Sequence, residues 1–143
     1  MKLIISATDG SEGAERAVVV AADLVKSING KLLLVNISED NLSSSQLRLL
    51  DQLRVSEGDA LEEISHRILT KAEAIARDHG ASNIESMSGA GDPTKAIVEI
   101  ANLKHADAIV VGRHGHGQLE NLLLGSVSQK LARHAPCAVI VIP

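Results

Sequence analysis

The sequence predicts an open, doubly wound α/β sheet. Two observations carry this. Short apolar runs recur along the chain without polar alternation, as in parallel strands covered on both faces. The segments between them place apolar residues at helical spacing, so strands and helices alternate. No internal repeat, low-complexity tract or linker interrupts that order.

The elements follow in chain order. Residues 2–7 are apolar and end in the turn cluster Thr8-Asp9-Gly10-Ser11, so they read as a buried strand. From Gly13 the period changes. Ala14, Ala17, Val18, Ala21, Ala22, Val25 and Ile28 form one helical stripe, and Asn29-Gly30 is the stop. Residues 32–37 are the second strand. Residues 38–45 are polar and loop-like, with the serine run 43–45 expected to be mobile. Residues 46–55 are leucine-rich without a clean frame. Ser56 caps a long helix to His79, with Asp59 three residues on and Leu61, Ile64, Ile68, Ala72, Ile75 and Ala76 on one face. Residues 83–88 alternate weakly, as a short edge strand does. Asp92-Pro93 starts a helix running to Lys104, because Asp caps and Pro suits the first helical position. Residues 108–111 are a strand ending at Gly112. A glycine-rich loop follows, Gly125-Ser126 opens a last helix to His134, and residues 138–142 are the final strand.

Composition excludes several function classes. The 143 residues suit one domain, 1–143, long enough to bury roughly two-thirds of its unfolded surface. With 14 Lys plus Arg against 18 Asp plus Glu, the net charge of −4 argues against a nucleic-acid partner. There is no Phe, Tyr or Trp, so no base can stack on an aromatic ring. Cys137 stands alone and can form neither an internal disulfide nor a cysteine-rich metal site. The longest apolar runs, 17–22 and 137–142, fall far short of the ~18 residues of a membrane span. Met1-Lys2-Leu3-Ile4-Ile5 meets polar Ser6 and then Asp9, too short for a signal-peptide core. The expectation is a soluble cytoplasmic protein.

In open α/β sheets, ligands bind beyond the carboxyl ends of the strands, where strand order reverses. Two strand ends carry unusual loops: Thr8-Asp9-Gly10-Ser11, and Gly112-x2-Gly115-x9-Gly125-Ser126-Val127-Ser128. Glycines let backbone approach a phosphate closely. Gly125-Ser126 stands at a helix N-terminus, where N–H groups and the helix dipole attract anions, and the Ser126 and Ser128 hydroxyls can add hydrogen bonds. The loop is not a P-loop, since Gly-Lys-Ser/Thr is absent. It is not a dinucleotide fingerprint either, since Glu120 stands where the third glycine belongs.

On these motifs, with Gly91-Asp92-Pro93, the whole chain resembles the universal stress protein family, and the glycine loop matches its ATP-binding signature. The resemblance implies a Rossmann-like, five-stranded parallel sheet of order 3-2-1-4-5 with helices on both faces. That order sets both unusual loops on one crevice. Position by position, Asp9 would contact the ribose, and Ala7 would line the adenine site with Thr8 beside it. Ile37 would wall the adenine, and Val111 and Gly112 would pass beneath the nucleotide. Arg113, His114, Gly115, Gly125, Ser126, Val127 and Ser128 would surround the phosphates. Three departures stand out. Asn36-Ile37 replaces the common His-Val, Pro136-Cys137-Ala138 replaces Cys-Pro-Val, and Arg113 replaces a small residue. The resemblance also implies a homodimer through the last strand, whose edge no later helix covers.

Other readings stay open at these residues. Asp9 caps or braces its turn, or meets a ligand. His114 and His116 lack a third metal ligand, so a phosphate role for His114 or Arg113 stands beside a solvated one and zinc is not expected. Cys137 reads as core, and His66, His79, His105 and His134 as helix-surface residues. No Gly-x-Ser-x-Gly elbow or paired catalytic carboxylate supports an enzyme. The expected function is a small dimeric stress-response or regulatory module that senses nucleotide by binding ATP, or AMP or ADP, with Mg²⁺ on the nucleotide and an unidentified protein partner. A slow ATPase or phosphotransferase, and a non-binding interaction protein, are the alternatives.

Overall fold

A computed structural model describes residues 2–39, 44–54, 56–114 and 124–143. The elements are β1 (Leu3–Ala7), α1 (Glu12–Ile28), β2 (Lys31–Ser38), α2 (Ser44–Leu53), α3 (Glu57–Asp78), β3 (Ile84–Ala90), α4 (Pro93–Lys104), β4 (Ala108–Gly112), α5 (Ser126–His134) and β5 (Ala138–Ile142). All strand pairs are parallel, in the order β3-β2-β1-β4-β5. β1 is central: Ile5 pairs with Leu33 on one side and Ile109 on the other.

The inner strands β1, β2 and β4 are largely apolar on both faces because both faces are covered. Ile4, Leu32, Leu34 and Val110 pack under α1 and α3 with Ala17, Val18, Ala21, Ala72 and Ala76. Ile5, Leu33, Val35, Ile109 and Val111 pack under α4 and α5 with Ile97, Ala101 and Leu131. The alanines let helices sit close to the sheet without aromatic filler.

The helix ends follow their sequence signals. Ser11, Ser56 and Asp92 cap α1, α3 and α4, accepting from Ala14, Asp59 and Lys95 N–H at 3.3, 3.1 and 3.2 Å. Asn29 takes a left-handed conformation with φ 52°, and its N–H turns back to Lys26. β3 is an edge strand and runs two residues past the expected end, to Ala90, because Ser38 still pairs with it. The segment between β2 and α3 differs from expectation. Ser44 begins a helix where a loop was expected, and the frameless leucines belong to that helix. Leu49 and Leu53 are exposed on α2, so these two apolar residues do not mark a buried face. No described helix is long and apolar enough to cross a membrane.

Candidate functional site

The strand order reverses between β1 and β4. α1 leaves the end of β1 toward one face, and α5 follows β4 on the other. The two unusual loops therefore meet. Gly13, in the first turn of α1, lies so close to the second loop that a Cβ there would stand 3.2 Å from the His114 carbonyl.

On the β1 side, Thr8 is buried and its N–H bonds the Val35 carbonyl at 2.9 Å. The Thr8 hydroxyl accepts from Gly10 N–H at 3.2 Å, and Asp9 Oδ1 accepts from Ser11 N–H at 2.9 Å. Asp9 thus braces its own turn with one oxygen, while Ser11 caps the helix. Gly10 takes φ +83°, which its lack of a side chain permits.

On the β4 side, Arg113 pins both ends of the glycine loop. Its N–H bonds the Ile142 carbonyl at 2.6 Å, and its carbonyl accepts Gly125 N–H at 2.7 Å and Ser128 Oγ–H at 3.0 Å. The Arg113 side chain is exposed. Ser128 is 2 % exposed, and its hydroxyl faces the Arg113 and Gly125 carbonyls. That hydroxyl ties the loop to α5 from inside. Gly115 and His116 lie outside the described residues.

α5 begins differently from α1, α3 and α4. Its N-cap is Gly125, which supplies no side-chain hydrogen bond. Among the described residues no side chain caps the first-turn N–H groups, including those of Ser126 and Val127, and Ser126 is exposed. Ala7, Ile37, Val111 and Val127 share the α4–α5 face of the sheet at this end and form an apolar wall.

A cleft of about 260 Å³ opens between the N-termini of α4 and α5, lined by Glu39, Asp92, Thr94, Ser126, Val127 and Lys130. Sequence reasoning names neither Glu39, Asp92, Thr94 nor Lys130 as a site residue. Asp92-Pro93 signals a helix start, and only the parallel pairing of β2 with β3 carries that start beside α5. Among the described residues, no group of three or more His, Cys, Asp and Glu side chains is placed to hold a metal. Cys137 is partly buried against the second core cluster; burial, and then the nearby Asp107 carboxylate, push its thiol pKa up.

A family model described as the universal stress protein family matches residues 1–143. A relative from Staphylococcus haemolyticus, named for that family, is 34% identical over 143 residues, covering 99% of this chain and 84% of that protein. A solved universal stress protein in complex with cAMP has a TM-score of 0.73 at 27% identity, over 99% of this chain and 96% of the other. The universal stress protein UspA from Lactobacillus plantarum has a TM-score of 0.80 at 22% identity, over 99% and 97%, which bears on the fold alone. The chain belongs to the universal stress protein family.

Proposed function

We propose that the crevice between the ends of β1 and β4 binds an adenine nucleotide, ATP, with ADP and AMP using the same base and ribose contacts. The observation that carries this is the N-terminus of α5. Among the described residues no side chain caps its first-turn N–H groups, and the pinned glycine loop leads directly into them. Such an end attracts phosphate through its N–H groups and the helix dipole.

The rest of the crevice suits the remainder of the nucleotide. Ala7, Ile37, Val111 and Val127 offer aliphatic contact for a base in a protein without aromatic rings. Asp9 is the acceptor suited to ribose hydroxyls. The family relative in complex with cAMP supports an adenine ligand. Magnesium would arrive on the phosphates, since it prefers phosphate oxygens and water to all-protein cages. The protein would act in the cytoplasm as a dimer joined through β5, reporting adenylate status to a protein partner.

Mass spectrometry of the small molecules released from purified, denatured protein tests this reading. An adenine nucleotide is expected, together with a rise in melting temperature when ATP is added. A purified protein with no bound nucleotide and no thermal response to ATP would contradict it.

A further inference from the structure

β1 leaves the sheet after Ala7, yet Thr8 N–H still bonds the Val35 carbonyl at 2.9 Å. In a continued parallel ladder, the Thr8 carbonyl would next accept Ile37 N–H, and the Ile37 carbonyl would accept Gly10 N–H. Side chains take both places. Asn36 Nδ2 donates to the Thr8 carbonyl at 2.8 Å, and Gly10 N–H goes to the Thr8 hydroxyl at 3.2 Å. Asn36 is 4% exposed and is held from behind. Ser65 Oγ, on α3, donates to Asn36 Oδ1 at 2.6 Å and lies 3.0 Å from Ser38 Oγ.

The alternation of a strand turns Ile37 N–H and C=O to the same side as those of Val35, which is the β1 side. That side is the crevice. One donor and one acceptor of a single residue thus face the space beside the apolar wall. They complement the edge of adenine, where a ring nitrogen accepts beside an amino group that donates.

We infer that Asn36 is a positioning residue for base recognition. By occupying the Thr8 carbonyl, its amide keeps Ile37 N–H available to the base and fixes the peptide that carries Asp9. This rests on the adenine-nucleotide reading above. Without the amide, the ladder closes by one more bond, Ile37 N–H to the Thr8 carbonyl, and the base edge loses its donor. A merely structural Asn36 would affect stability, and with it all ligands alike.

The test uses ATP, ITP and inorganic tripolyphosphate. Hypoxanthine reverses the pattern of adenine, with a ring N–H beside a carbonyl, while tripolyphosphate has no base. Calorimetric affinities are measured for the parent, Asn36→Leu, Ser65→Ala and the double variant Asn36→Leu/Ser65→Ala, which also removes the Ser65 hydroxyl that the leucine would leave without its amide partner. The parent is expected to prefer ATP over ITP. Both Asn36→Leu proteins should lose about tenfold in ATP affinity, the scale of one hydrogen bond, with tripolyphosphate unchanged and the ATP/ITP preference gone. Ser65→Ala, which keeps the amide but loosens it, should show a smaller loss of the same kind and reads the effect even if the Leu variants fail to fold. A parent that binds none of the three, or shows no ATP preference, overturns the adenine reading itself. A selective parent whose variants keep the ATP/ITP ratio, or weaken all three ligands in parallel, overturns the role of Asn36.

Discussion

Gly112 at the end of β4 and Gly13 in the first turn of α1 meet backbone to backbone. A Cβ on Gly112 would come 2.8 Å from the Gly13 carbonyl carbon and 2.9 Å from Ala14 N. Glycine at 112 therefore lets α1 settle onto the switch point, whatever it offers a phosphate. The turn after β1 and the start of the glycine loop owe their closeness to this contact.

Gly112→Ala should force α1 away from β4. Overpacking against main chain that cannot swing aside costs about 1–3 kcal/mol. Chemical denaturation should show that loss, and ATP affinity should fall with it because Asp9 moves with α1. A variant as stable as the parent would mean that α1 yields freely here.

Ser6 supplies the opposite case. It is fully buried on β1, and its hydroxyl has no hydrogen-bond partner among the described residues. An unmet buried hydroxyl costs roughly 1–3 kcal/mol of desolvation. Ser6→Ala removes it with little change in volume, so denaturation should find the variant as stable as the parent or about 1 kcal/mol more stable. A loss of stability would point to a partner for this hydroxyl.

Much of this was legible in the sequence because the signals are local. Leu32, Leu33, Leu34 and Val35 are all buried, so the run reads as a strand under two helix layers without knowledge of its neighbours. Ser11, Ser56 and Asp92 announce their helices by chemistry alone. α2 escaped because exposed Leu49 and Leu53 break the amphipathic rule. The inward turn of Ser128 was not legible because it depends on where Arg113 places its carbonyl. Asn36, Glu39, Thr94 and Lys130 escaped for a common reason. Each matters through a neighbour distant in sequence, and one chain's pattern carries no trace of that pairing.

Acid should destabilise the protein partly through Asp107. The Leu3 N–H, and then the Lys2 N–H, bond its carboxylate at 2.9 and 2.7 Å and hold its pKa below the ordinary value, against the opposing effect of burial. A pKa lowered in the folded state gives stability that is present above the unfolded value, about pH 4, and lost as pH falls through the folded one. Asp107→Asn should flatten the pH dependence of the melting temperature below about pH 4 and leave its shape near neutrality unchanged. An unchanged acid limb would show that these N–H bonds do not favour the carboxylate.

Assembly through β5 can be tested with strand polarity. Arg113 N–H bonds the Ile142 carbonyl, so Ile142 and Ile140 turn their peptide groups toward β4. Val139 and Val141 turn theirs outward, to the open edge. Val141→Pro should yield a folded monomer of roughly half the parent's sedimentation mass, because it removes an edge N–H and spares the β4 ladder. Ile140→Pro should instead destabilise the fold. A parent that sediments as a monomer at micromolar concentration would rule the dimer out.

The central claim is that the glycine loop and the N-terminus of α5 cradle the phosphates of a nucleotide. Affinity should then lean on phosphate, with ATP bound more tightly than adenosine, and Ser126→Ala should cost on the order of 1–2 kcal/mol, one hydrogen bond to a charged group. The most direct measurement is calorimetric titration of ATP into the parent and into Gly115→Val, with melting curves to confirm that both are folded. Saturable binding to the parent is expected, and none to Gly115→Val, whose side chain would keep the backbone from the phosphates. Equal affinity in the two proteins would contradict it.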